Sequence, residues 1–234
     1  MNIGWCLVAP EAGACYDPPE KFILLKDSSP LSRGFLSCPA IRSYFNSTFS
    51  IASPFSLQLT AKLIEGEWVV QPVFPFTSLT NQKVQELVKI EPASSWRDKC
   101  SVVVQIPSPY VFFADEPILI KQESPILVTP SSYSWRLIPG KFNIFDWQRP
   151  LNWAFEWNPN AGDFIIRTSE CMYFISFEYT NGSKVEGIDL LECDLSPELS
   201  KAIQMTRGVT SLRRGTTSLM NKTGQKRTNK FFNK

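Results

Sequence analysis

Phe55-Ser56-Leu57-Gln58-Leu59-Thr60-Ala61-Lys62-Leu63 carries an apolar residue at every odd position and a polar one at every even position, with Ala61 the smallest of the apolar set. Successive side chains of a strand point to opposite faces, so this period of two is that of a half-buried β-strand. Glu65-Gly66-Glu67 follows as a turn, and Trp68-Val69-Val70 opens a partner strand. The stretch reads as a β-hairpin.

The pattern continues along the chain. Val102-Val103-Val104-Gln105-Ile106 and Tyr110-Val111-Phe112-Phe113 are apolar runs split by Pro107-Ser108-Pro109. Ile118-Leu119-Ile120 and Ile126-Leu127-Val128 come next, and Gly140-Lys141 reads as a turn ahead of Phe142. Trp153-Ala154-Phe155-Glu156-Trp157 alternates and stops at Asn158-Pro159-Asn160-Ala161-Gly162, a strong turn signal. Phe164-Ile165-Ile166 and Met172-Tyr173-Phe174-Ile175-Ser176-Phe177 are further strands, and Asn181-Gly182 marks a tight turn. Short strands separated by turn signals predict an all-β fold, a jelly roll or another β-sandwich. The composition agrees, with 18 prolines, 17 phenylalanines and 7 tryptophans, residues of strands, strand edges and turns.

Helical pattern is scarce. Val84, Leu87 and Val88 support two turns over 82–88. Ser196-Pro197-Glu198 is a helix start: serine as N-cap, proline at N1, and glutamate against the helix dipole. That helix is expected to reach about Thr206, ahead of Gly208. The predicted organisation is a β-rich domain over 1–206 and a basic tail over 207–234 that is flexible or orders only on a partner.

Charge divides along the same line. The formal net charge is +2, yet no Asp or Glu follows Glu198. Residues 1–198 hold 15 basic and 22 acidic residues, a net of −7, and the remainder holds nine basic residues. Arg207, Arg213, Arg214, Lys222, Lys226, Arg227 and Lys230 are the candidate partner-binding residues. Such a tail can dock on an acidic protein surface, including another copy, or neutralise phosphates without reading sequence. Aromatic residues are not interleaved with it before Phe231-Phe232, so base stacking gains no support.

Several functions lose ground on residue types alone. Histidine is absent, which weighs against most catalytic triads and catalytic zinc sites. GxxxxGK[ST], GxGxxG and GxSxG do not occur. The six cysteines, Cys6, Cys15, Cys38, Cys100, Cys171 and Cys193, form no CxxC pair and are read as free, mostly buried thiols of a reducing compartment. Neither a signal peptide nor an apolar run of membrane-spanning length is read, so no membrane partner is expected. No cofactor or metal is predicted.

The remaining constellations have plain readings. Asp115-Glu116 are adjacent on an extended segment, point apart, and read as a solvated turn. Asn158, Asn160 and Asp163 fall short of a calcium loop in length and charge. Asp189, Glu192, Asp194 and Glu198 read as local charge for the helix start. Trp153 and Trp157 share a strand face with Phe155, a stripe that is core more often than a sugar platform, and Trp147 lies nearby. An enzyme or ligand binder would draw on ionisable groups near strand ends, such as Arg149, Asp163 or Asp115.

Two segments resemble a known family. One is Phe35-Leu36-Ser37-Cys38-Pro39-Ala40 with Asn46-Ser47-Thr48-Phe49-Ser50-Ile51 and Pro54-Phe55-Ser56-Leu57. The other is Ile138-Pro139-Gly140-Lys141-Phe142-Asn143-Ile144 with Trp147-Gln148-Arg149-Pro150-Leu151, Gly162-Asp163 and Tyr173-Phe174-Ile175-Ser176-Phe177. Together they resemble an uncharacterised protein family of tailed phages, especially marine ones, over most of residues 20–205. Ser169-Glu170-Cys171-Met172 departs from it, standing where the family would carry a glycine-acid-proline turn. The resemblance implies a viral, intracellular origin and assigns no activity, cofactor or catalytic residue. Taken together, the expectation is a non-enzymatic virion or assembly protein, in the host cytoplasm during infection or in the virion. It would act on protein partners, either copies of itself or other virion components. The alternatives are an intracellular phage enzyme or small-ligand-binding β-barrel, and a host-directed nucleic-acid binder acting through the tail.

Overall fold

The computed structural model describes residues 1–10, 14–23, 38–91, 100–125, 133–185, 187–207 and 232. Its elements run, in chain order, β1 (Asn2–Leu7), β2 (Glu20–Lys21), α1 (Pro39–Phe45), β3 (Thr48–Ala52), β4 (Leu57–Ile64), β5 (Glu67–Pro72), α2 (Asn81–Leu87) and β6 (Lys89–Glu91). They continue with β7 (Val102–Pro107), β8 (Tyr110–Phe113), β9 (Ile118–Glu123), β10 (Trp135–Leu137), β11 (Gly140–Asn143), β12 (Asn152–Trp157), β13 (Phe164–Ile166), β14 (Cys171–Tyr179), β15 (Asp189–Glu192) and α3 (Pro197–Arg207). The described chain is therefore mostly β.

The strands form four sheets: β11-β9-β14-β3-β2, β10-β12-β7-β6, β13-β4-β5 and β15-β1-β8. One hydrophobic core draws on all four. Apolar runs that do not alternate have a common cause, burial on both faces. In β14, Tyr173, Ile175 and Phe177 join the shared core, while Phe174 meets Phe22 and Phe45 on the opposite face, at 4.7 and 5.5 Å between ring centroids. Phe45 belongs to α1, a short helix with Pro39 in its first turn that the apolar spacing did not announce.

Between β7 and β8 the chain changes sheet. Two prolines in three residues cannot donate to a ladder, so pairing breaks at 107–109. The Ser108 N–H instead bonds the Leu151 carbonyl at 2.9 Å, and the Pro109 carbonyl accepts from the Val8 N–H at 2.9 Å.

The tryptophan stripe is core. Trp153, Phe155 and Trp157 are fully buried. Phe155, Trp157 and Phe164 of β13 pack with Trp135 of β10 at centroid distances of 5.1–5.9 Å, joining the four-stranded sheet to the β13-β4-β5 sheet. Buried indoles need acceptors. Trp135 Nε1 donates to the Ile165 carbonyl at 2.6 Å and Trp157 Nε1 to the Gly162 carbonyl at 2.8 Å.

Two local readings are corrected. Gly140-Lys141 is not a turn but the start of β11, with Gly140 opposite Gln122 and Lys141 opposite Lys121. Lys141 also forms an ion pair with Glu178. Asp189 and Glu192 bound a strand, β15, which runs parallel to β1 from Asn2↔Asp189 to Trp5↔Glu192. Their acidic side chains hid it, because strand patterns are read from apolar residues. Charge on the last strand of a sheet also discourages further pairing. Residues 126–128, read as a strand, lie outside the described residues.

α2 and α3 are capped from their own sequence. The Thr80 hydroxyl accepts from the Lys83 N–H at 3.3 Å, and the Ser196 hydroxyl from the Leu199 N–H at 3.1 Å. Each cap meets one of the four N–H groups that a helix start leaves unpaired.

Candidate interaction surfaces

The hairpin read first from the sequence runs past its β13 neighbour, with Ala61, Trp68 and Val70 still packed against the core. Its register extends from Leu59↔Pro72 to Ile64↔Glu67, so Glu65 and Gly66 form a two-residue turn. Both take positive φ, +52° and +85°, as a type I′ hairpin turn requires. β13 pairs with β4 only at Leu57–Leu59. Beyond Leu59, β5 is the only strand paired to β4 among the described residues. The free part is about 13 Å long.

Burial falls along that extension. Leu57 and Leu59 are buried, but Leu63 is 59% exposed, Ile64 52% and Val69 40%. Consecutive residues face opposite sides, so both faces of the projection carry apolar groups. Beside it, a groove of about 530 Å³ opens between β5 and α2, lined by Val70, Pro72, Phe74 and Val84 among others. Phe74 is half exposed. A two-stranded ribbon is marginal in water, so exposed apolar side chains on it are candidates for contact with a partner.

A second surface lies on the outer face of β15-β1-β8. Ile3, Trp5, Tyr110 and Phe112 point into the shared core. Cys6, Val111 and Phe113 point the other way and form a separate cluster with Leu199 and Ile203 of α3. Phe232 closes this cluster. Its ring stacks on Phe113 at 5.6 Å and 26°, and its N–H donates to the Asp115 carboxylate at 2.9 Å. Gly4 makes the space: a Cβ there would overlap the Phe113 ring and come within 2.9 Å of Phe232 Cζ. Asp115 is thus a tether as well as part of a bend. Fully burying a phenylalanine contributes about 1.5–3 kcal/mol, and Phe232 is only part-buried. Closing a chain of 24 residues, 208–231, costs roughly 3 kcal/mol plus a constant, more than the part-buried ring alone contributes.

The polar candidates do not converge. Arg149 lines a cleft of about 350 Å³ with Tyr16, Leu87, Ser108, Asn152 and Ile203. Its guanidinium lies 5.3 Å from the Trp147 ring centroid, and burial lowers its pKa. Asp163 accepts from Gln58 Nε2 at 2.7 Å, elsewhere in the molecule, and Asp115 holds Phe232. Asn158 accepts from the Asn160 N–H at 3.0 Å and caps a single turn, so this loop is engaged with itself. Glu156, buried on β12, pairs with Arg136 at 2.7 Å. Tyr133 donates to Glu170 at 2.7 Å and accepts from Arg167 at 2.9 Å. Burial, then the neighbouring Glu170, raises Tyr133 to about 12. These are ion pairs and hydrogen bonds that fasten strands and loops. Among the described residues no group of three acidic, cysteine or histidine side chains is placed to hold a metal.

All six cysteines are free, but they are not mostly buried as expected: Cys6 is buried, Cys171 and Cys193 are intermediate, and Cys15, Cys38 and Cys100 are exposed. Burial, then the nearby Cys193, pushes Cys6 up to about 11, and burial pushes Cys171 up to about 12, opposite to the shift that activates a nucleophilic thiol. No described helix is long and apolar enough to cross a membrane.

Sequence reasoning found the hairpin and missed the socket. Phe231-Phe232 was visible as an aromatic pair ending a basic stretch, but its seat depends on Gly4 and Phe113, more than a hundred residues apart. Of the proposed tail residues, only the backbone of Arg207, at the end of α3, is described. Arg213, Arg214, Lys222, Lys226, Arg227 and Lys230 lie outside the described residues. Compared with known proteins, the chain matches no protein-family model and no curated protein.

Proposed function

We propose that this chain is a non-enzymatic virion or assembly protein of a tailed phage, acting through protein–protein contacts. Its four sheets are read as the packed layers of a sandwich or jelly roll, which their single core supports. The observation that carries the reading is the β4–β5 hairpin, whose end exposes Leu63, Ile64 and Val69 while Ala61, Trp68 and Val70 still pack on the core. A filled aromatic interior and scattered polar groups give it further support over an enzyme. The host cytoplasm during infection, or the virion, is the corresponding location.

Sedimentation of the full chain tests this reading. Concentration-dependent association is expected, weakened at least tenfold in Leu63→Asp/Ile64→Asp. A chain that stays monomeric, or associates equally well with both aspartates present, removes the hairpin as the contact.

One observation favours a second reading, a small-ligand binder. The Arg149 cleft joins a desolvated cation to apolar walls, the usual make-up of a ligand pocket. It predicts that small organic carboxylates raise the melting temperature of the wild type and not of Arg149→Ala.

A further inference from the structure

We infer that the socket between β1, β8 and α3 is the docking site for the C-terminal arm of a second copy of this chain, which seats its Phe232 there when copies are brought together. The inference rests on the reading above, that the protein works through contacts between subunits, and names one of those contacts.

The socket is built for this one residue. Gly4 leaves the floor open, Phe113 supplies the stacking ring, Leu199 and Ile203 supply the wall, and Asp115 takes the backbone N–H. An aromatic ring plus one backbone bond to a carboxylate is a complete recognition unit, and it does not depend on which copy supplies the ring.

The route to the socket decides between copies. α3 lines the socket through Ile203 and ends at Arg207, one turn later. Phe232 returns to the same place, so residues 208–231 must close on themselves when the arm docks on its own body. That closure costs more than one part-buried phenylalanine alone contributes. Docking on a neighbour makes the same contacts without it. Twenty-four residues reach at most about 80 Å, ample for an adjacent subunit. A tether of this kind holds its own end at an effective concentration on the order of millimolar, and subunits packed in an assembly match that.

Charge favours the same partner. The arm beyond Glu198 holds only basic charges, while residues 1–198 carry a net of −7. Asp189 of β15 and Asp115, just past the end of β8, flank β1 in the socket sheet and belong to that acidic excess. A second copy presents both the socket and the opposite charge.

The test uses the full wild-type chain, followed by analytical ultracentrifugation up to about millimolar concentration. A synthetic peptide of residues 221–234 is added in excess, in parallel with the same peptide carrying Phe232→Ala. Association is expected, and the native peptide is expected to weaken it at least tenfold while the alanine peptide does not. Association that ignores both peptides but is lost in Leu63→Asp/Ile64→Asp overturns the exchanged arm and leaves the assembly reading standing on the hairpin. A wild type that stays monomeric throughout also overturns it. Equal effects of the two peptides would show that charge alone acts, and would overturn the Phe232 socket.

Discussion

A Cβ at Gly4 would overlap the Phe113 ring, so Gly4→Ala must displace that ring and the Phe232 stacked on it. Overpacking of this kind costs about 1–3 kcal/mol, and thermal unfolding should show a lowered Tm. Phe232→Ala is expected to cost about 1 kcal/mol, since the ring is only part-buried. The buried thiols set a second expectation. Cys6 and Cys171 rise from 9.0 to about 11 and about 12, so the native state holds those protons more tightly than the unfolded chain. Stability from these groups is therefore complete below pH 9.0 and is lost as pH climbs towards 11 and 12. Denaturant midpoints should fall over that range, and less steeply in Cys6→Ala/Cys171→Ala. At neutral pH a thiol reagent should modify exposed Cys15 and Cys38 well before Cys6 and Cys171. At this scale the sequence revealed residue types and not neighbours. The absence of histidine could be read directly, whereas the role of Gly4 could not, because no local pattern links it to Phe113.

The hairpin shows what an element reveals of itself. Its alternation, turn and partner strand lie within sixteen residues, 55–70, so nothing distant was needed to read it. β4 and β5 bear the reading out, although the exposure of the distal half depends on where β13 stops. Glu65 sits at φ +52°, where a side chain without local backbone bonding is disfavoured. Glu65→Asn should stabilise by about 0.5–1 kcal/mol, and Gly66→Ala should destabilise by about 1–2 kcal/mol, both measurable by denaturant unfolding. Amide exchange is expected to be fastest beyond Thr60, where β4 pairs with β5 alone, and slowest around Leu59, where the β13 and β5 registers meet. Equal protection along β4 would show that something already covers the projection. β15 and α1 escaped reading for opposite reasons: acidic residues masked a strand, and a seven-residue helix is too short to display a period.

At the scale of the molecule, the β-rich character was legible because many short strands carry it independently. Sheet membership was not. The Pro107-Ser108-Pro109 break, read as a gap between strands, is the point where the chain leaves one sheet for another. The parallel pairing of β1 with β15 spans nearly the whole chain and leaves no trace in local pattern. The two surfaces depend on long-range packing in the same way, one being a hairpin whose end exposes Leu63, Ile64 and Val69 and the other a socket that joins Gly4, Phe113 and Phe232. Under the proposed phage origin, quantitative mass spectrometry of purified particles and assembly intermediates of the phage that encodes the chain tests the central claim most directly. The account predicts many copies of this chain per particle or intermediate. Clear expression during infection, with the chain missing from both, would contradict it and turn attention to the Arg149 cleft.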